Sequence, residues 1–188
     1  MESLSDMINA KPNVFEHLVP TDPAYAGLPL LRAFNWAECL KSEPSRHWYV
    51  VAFRSIRSTT ADAAYLKLLD DLAYEEAMSE PGLLWYFRGT MTERRECLSI
   101  CVWESQAQAQ AATHRTAHRA AADITDAMYD VFELERWLLI KHPVSGELEL
   151  RPVALDTIEP TPYRRSAQAG PGNVLKDFTE VTSDLHVP

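Results

Sequence analysis

The chain has no glycine-rich phosphate loop and no GxGxxG, and it holds only 6 glycines in 188 residues, which excludes the usual nucleotide and dinucleotide fingerprints. Cysteine is as scarce. Cys39, Cys97 and Cys101 are an odd set, too small for a disulfide framework, and are expected as buried thiols in a reducing compartment. No His, Cys or carboxylate run has metal-ligand spacing, so the expectation is no metal and no cofactor. Basic residues are the minority, 18 against 27 acidic, for a formal net charge of −9. That balance leaves no basic footprint for nucleic acid or anionic lipid. No apolar run approaches the ~18 residues of a membrane span, and MESLSDMINAKP lacks the basic and apolar regions of a secretory leader. A cytoplasmic protein with no membrane span is expected.

What is present suits one globular domain with extensions: 46% of residues are hydrophobic and 24% charged. Residues 1–45 carry Pro12, Pro20, Pro23, Pro29 and Pro44, yet also Phe15, Leu18, Tyr25, Leu30, Phe34 and Trp36, which are unsuited to free disorder. They read as an arm lying on the domain, with one short helix near Leu30 to Cys39. Residues 46–153 read as the domain proper and 154–188 as an extended tail.

Within the domain, RHWYVVAFRSIR at 46–57 is β-branched and aromatic, a strand apolar on both faces except for Arg54. A helix starts after Ser58, with Thr59 as the cap and Asp62 completing a capping box, and carries its apolar stripe through Tyr65, Leu68, Leu69, Leu72 and Ala73. Pro81-Gly82 ends it. LLWYFRG at 83–89 is a second strand interrupted by Arg88, and 90–94 a hairpin loop. The chain is organised around 95–118, where the strand CLSICVW runs through Glu104 and Ser105 into an Ala-rich helix carrying His114 and His118 and ending near Met128. A fourth strand at 130–140 shows a uniformly apolar face only through Phe132, Leu134, Leu138 and Ile140, and ELELRPV at 147–153 suggests an extra edge strand. Strand, helix, strand, strand, helix, strand is the ferredoxin-like βαββαβ order of an α+β fold. Two helices cover one face of such a sheet, and a second copy packed sheet to sheet would cover the other, so a homodimer is expected.

WYVVAFRS at 48–55, PGLLWYF at 81–87 and ICVWES leading to AHR at 117–119 resemble the dimeric α+β barrel superfamily. That superfamily includes antibiotic-biosynthesis monooxygenases, haem-degrading monooxygenases and cyclases and isomerases of natural-product pathways; uncharacterised fungal proteins of this kind share the same segments. The resemblance spans about half of the chain. It implies a site between helices and sheet, with Trp103 and His118 or His114 at the places of a strand Trp and a helix His in the haem-degrading members. The first-strand Asn of those members is missing, with Arg54 or Ser55 near its place, which argues against haem oxygenation. The phenol-oxidising members use neither metal nor flavin.

His114 and His118, four apart, share one face of an unbroken helix, and a neutral imidazole can act as acid, base or donor near pH 7. Arg54 must meet a carboxylate, solvent or a ligand, and the carboxylates of Glu104, Glu133 and Glu135 are available to it. His118, His114 and Arg54 are the candidate catalytic residues. Tyr49, Trp85, Tyr86, Phe87, Ser99, Cys101 and Trp103 are the candidate substrate wall. The expected activity is a cofactor-independent cyclase or isomerase of secondary metabolism, including a pericyclic, Diels-Alder type of cyclisation, acting on an apolar polyketide or terpenoid intermediate. The alternatives are a cofactor-free monooxygenase and a non-enzymatic ligand-binding protein.

Overall fold

The computed structural model describes residues 13–154. The expected tail, apart from Ala154, and the first twelve residues of the arm lie outside the described residues.

Five strands form one antiparallel sheet in the order β2-β3-β1-β4-β5, built from β1 (His47–Arg57), β2 (Leu83–Phe87), β3 (Glu96–Trp103), β4 (Tyr129–Lys141) and β5 (Leu148–Pro152). The first four strands with their crossovers are the ferredoxin-like arrangement, and β5 is the expected extra edge strand. β1 lies at the centre because both of its faces are apolar.

Among the described residues six short or medium α-helices accompany the sheet: α1 (Leu30–Ala33), α2 (Trp36–Cys39), α3 (Ala63–Met78), α4 (Gln106–Ala112), α5 (Thr116–Asp123) and α6 (Thr125–Met128). Asp62, not Thr59, caps α3: its carboxylate accepts from the Ala64 and Tyr65 amides, both at 3.0 Å. Gly82 closes the following turn at φ +88°, a conformation that suits glycine.

The expected single Ala-rich helix is broken into α4, α5 and α6. The first break lies at Thr113 to Arg115, where the Thr113 hydroxyl donates to the Gln110 carbonyl at 2.7 Å, a local bond that competes with helix continuation. The restart is fixed from another element. The Glu76 carboxylate of α3 accepts the amides of Ala117 (3.3 Å) and His118 (2.9 Å) in the first turn of α5.

The face opposite α3–α6 is not left for a second copy. The arm covers it, and Phe15, Leu18, Tyr25, Leu30, Phe34, Trp36 and Leu40 form one core with Trp48, Val50, Ala52, Leu98, Ile100, Val102 and Leu139 of the sheet. This corrects the expectation of back-to-back packing. Aromatic contacts tie the arm down: Phe15 meets Trp48 edge-on at 5.7 Å between ring centres, and Phe34 meets Phe87 at 5.0 Å. Lys141 of β4 donates to the carbonyls of Leu40 (2.7 Å), Lys41 (3.1 Å) and Glu43 (2.6 Å), satisfying the end of α2 with a cation. The described part of the arm therefore holds two short α-helices and two 3-10 turns, Val14–His17 and Tyr25–Gly27, where one helix was expected, and it belongs to the core.

Candidate functional site

Cross-strand register lays out the floor beneath α3–α6. Tyr49 pairs with Trp103, Val51 with Cys101, Phe53 with Ser99 and Ser55 with Cys97; on the other side of β1, Leu138, Arg136, Leu134 and Phe132 continue this face, the last two exposed. Tyr86 of β2 stands beside Cys101. Side chains alternate across a strand, so Tyr49, Tyr86, Ser99, Cys101 and Trp103 share this helix-side face. Tyr49, Cys101 and Trp103 are buried there against Ala109 and Ala112 of α4, with Tyr86 packed alongside.

Trp85, Phe87 and Arg54 are on the opposite face, under the arm. Phe87 is wedged edge-on between Tyr25 and Phe34, and Trp85 packs into the same core. The Arg54 guanidinium donates to Glu135 Oε1 at 2.5 Å, to the Ala26 carbonyl at 2.5 Å and to the Leu28 carbonyl at 2.8 Å. It pairs with a carboxylate and clamps the arm, and the sheet separates it from both histidines. His114 lies in the turn between α4 and α5 and is exposed, so the helix break removes the shared face expected for the two imidazoles.

His118 is the histidine that stays with the helix-side layer. Its ring is half-buried and accepts or donates no hydrogen bond among the described residues. Burial lowers its pKa below the ordinary 6.5, against an opposing pull from Glu76. The imidazole is therefore neutral at neutral pH and able to take a proton.

Across the same floor the titratable groups stay protonated. Burial pushes the Tyr86 phenol up, helped by the fields of Cys101 and Asp70; the Tyr129 phenol moves the same way through burial and Asp70, with Arg57 opposing. Burial likewise holds Cys97 and Cys101 as thiols, so neither is an activated nucleophile. Tyr49 is raised by burial, with Arg136 pulling the other way. Tyr86 is stiffened by stacking on Tyr74 at 5.2 Å, and Arg88 lies over Tyr74 while binding Asp70 and Asp71. Arg88 is thus committed to an ion pair. Among the described residues no three His, Cys, Asp or Glu side chains cluster to hold a metal ion.

Residues beyond the expected set share this floor. Arg57 follows Tyr49, Val51, Phe53 and Ser55 by the same alternation, and Arg136 follows Phe132 and Leu134, so extending each period by one step would have found them. Tyr129 faces Arg57 across the register shift at the end of β1.

An antiparallel sheet with helices on one face, strands and crossovers in βαββαβ order, is the ferredoxin-like α+β architecture. The chain belongs to the PB2B2.08-like family, whose model matches residues 4–151. No curated protein matches it. Among solved structures it is similar to PA3566 from Pseudomonas aeruginosa, with a TM-score of 0.43 and 11% identity over 48% of this chain and 92% of that one. It is also similar to Rv0793 from Mycobacterium tuberculosis (TM-score 0.42, 14% identity, 49% of this chain and 92% of that one). A third is SnoaB, a cofactor-independent oxygenase from Streptomyces nogalater (TM-score 0.40, 13% identity, 54% of this chain and 98% of that one). The fold assignment itself rests on the strand order and crossovers described above.

Proposed function

We propose that the protein is a cytoplasmic, cofactor-independent enzyme that binds an apolar polyketide- or terpenoid-like molecule on the helix-side floor and cyclises or isomerises it. The observation that supports this most is the neutral, half-buried imidazole of His118 on α5, a helix packed against α3 on the side of the sheet that carries Tyr49, Tyr86 and Trp103. The aromatic floor would hold the substrate in a reactive shape, an effect that reaches ~7 to 11 kcal/mol in favourable intramolecular cases. A fixed donor or base adds a polarising contact, typically worth ~3 kcal/mol. His118 is the base or donor in this reading; exposed His114 and arm-bound Arg54 are not used. A homodimer enters the proposal only through a surface other than the arm-covered face. The exposed start of β4, with Phe132 and Leu134, is the apolar candidate.

The monooxygenase reading uses the same imidazole to ionise a phenol that then reduces dioxygen. One assay separates the two. Linear polyene and polyketide-like substrates under argon should give an isomer of unchanged mass, and His118→Gln should slow its formation by ~10²-fold. Oxygen uptake with a phenolic substrate and no product under argon would select the monooxygenase. Turnover unaffected by His118→Gln would remove the site.

A further inference from the structure

Most cations of the sheet layer have an anion. Arg54 meets Glu135, Arg88 meets Asp70 and Asp71, Arg95 meets Asp130, and Arg151 meets Glu149. Arg57 and Arg136, both on the helix-side floor, make no ion pair among the described residues, and of the two only Arg57 has a guanidinium atom, Nε, that is shielded from solvent with no hydrogen-bond partner there. Burying a guanidinium donor without an acceptor is costly, and native structures rarely keep one without a reason.

The groups around it are of one kind. The Arg57 field acts on the Cys97 thiol and on the Tyr129 phenol, which stands across from it on β4. Both are kept protonated, so neither neutralises the guanidinium. Asp70 also reaches these two groups, but its carboxylate is engaged by Arg88. The helix-side floor therefore has, at Arg57, Tyr129 and Cys97, an end supplied with donors and short of an acceptor. Asp70, which acts on Cys97 and Tyr129 here, and Glu76, which accepts the His118 amide, are about 9 Å apart along α3 at 1.5 Å per residue.

We propose that Arg57, with the Tyr129 phenol beside it, binds an oxygen anion of the ligand, a carboxylate or an enolate or phenolate oxygen, at the end of the floor remote from His118. This rests on the helix-side site proposed above and narrows its ligand from an apolar molecule to an apolar molecule with one anionic oxygen group. Arg57 Nε supplies a charge-assisted hydrogen bond, and the ligand oxygen supplies the missing acceptor.

Binding of 2-naphthoate and of its neutral isostere 2-naphthamide to the full chain, followed by titration calorimetry, tests this. The wild type is expected to bind the carboxylate about tenfold or more tighter, the range of one charge-assisted hydrogen bond. Arg57→Met should abolish that preference while leaving the amide affinity in place, Arg57→Lys should keep most of it, and Tyr129→Phe should reduce it severalfold. Equal affinity of the wild type for both probes, or a preference that survives Arg57→Met, overturns the assignment and leaves the helix-side site standing. Failure of both probes to bind overturns the assignment together with the site. If Arg57→Met does not fold, Arg57→Lys and Tyr129→Phe decide: a carboxylate preference unchanged in both is again fatal.

Discussion

His118 is the side chain at which structure and chemistry meet most directly. Folding disfavours its charged form, so its contribution to stability is fully present above the ordinary pKa of 6.5 and is lost as the pH falls through the lowered folded value. The wild-type melting temperature should therefore drop toward that of His118→Gln as the pH goes from about 7.5 to about 5. A gap between the two proteins that does not change with pH would mean that the ring is not shielded. Arg54 illustrates the opposite outcome for a singled-out residue. It interrupts an apolar strand, as a ligand-binding arginine would, but its ion pair and two carbonyl contacts are structural. Arg54→Met strands a half-buried carboxylate and frees two arm carbonyls, so a loss of about 3 kcal/mol in urea unfolding is expected, with little change in ligand affinity.

At the level of elements, the decisive event is the break between α4 and α5. Local composition favours helix throughout 106–123, and the alanines alone give no reason to stop. The boundary comes from a carboxylate on a different helix, since Glu76 takes the first amides of α5 and so sets where His118 begins its turn. Glu76→Ala should cost about 1 kcal/mol, the usual value of a lost helix cap, and should speed amide exchange at Ala117 and His118 beyond the rest of α5. Unchanged exchange at these two amides would show that the cap is not made. Arm elements follow the same logic: α1 and α2 are too short to persist alone and exist because Trp36 and Leu30 are buried on the sheet.

For the whole molecule, the arm takes the position that a partner was expected to fill. Trp36 is 1% exposed and its indole donates to the Leu30 carbonyl at 2.9 Å, so it is a core residue although it lies outside the βαββαβ unit. Trp36→Ala should cost about 3 to 5 kcal/mol, like a central large-to-small change, and should bring concentration-dependent association as the sheet face is uncovered. Sedimentation and urea unfolding check both parts. A cost below about 1 kcal/mol would make the arm a loose strap.

Period-two and period-3.6 patterns by themselves marked the four strands, the helical stretches between them and the extra edge strand, because each depends on residues within a few positions of one another. They also put Cys97, Ser99, Cys101 and Trp103 on a common face of β3, while the pairing that adds Tyr49 and Tyr86 to that face came from the sheet. What covers the other face, where the Ala-rich helix breaks and which arginine keeps a shielded donor without an acceptor were decided only by tertiary structure. Those three outcomes depend on groups far apart in sequence, Phe34 with Phe87, Glu76 with His118 and Arg57 with Tyr129, and no local pattern encodes the partner that each side chain meets.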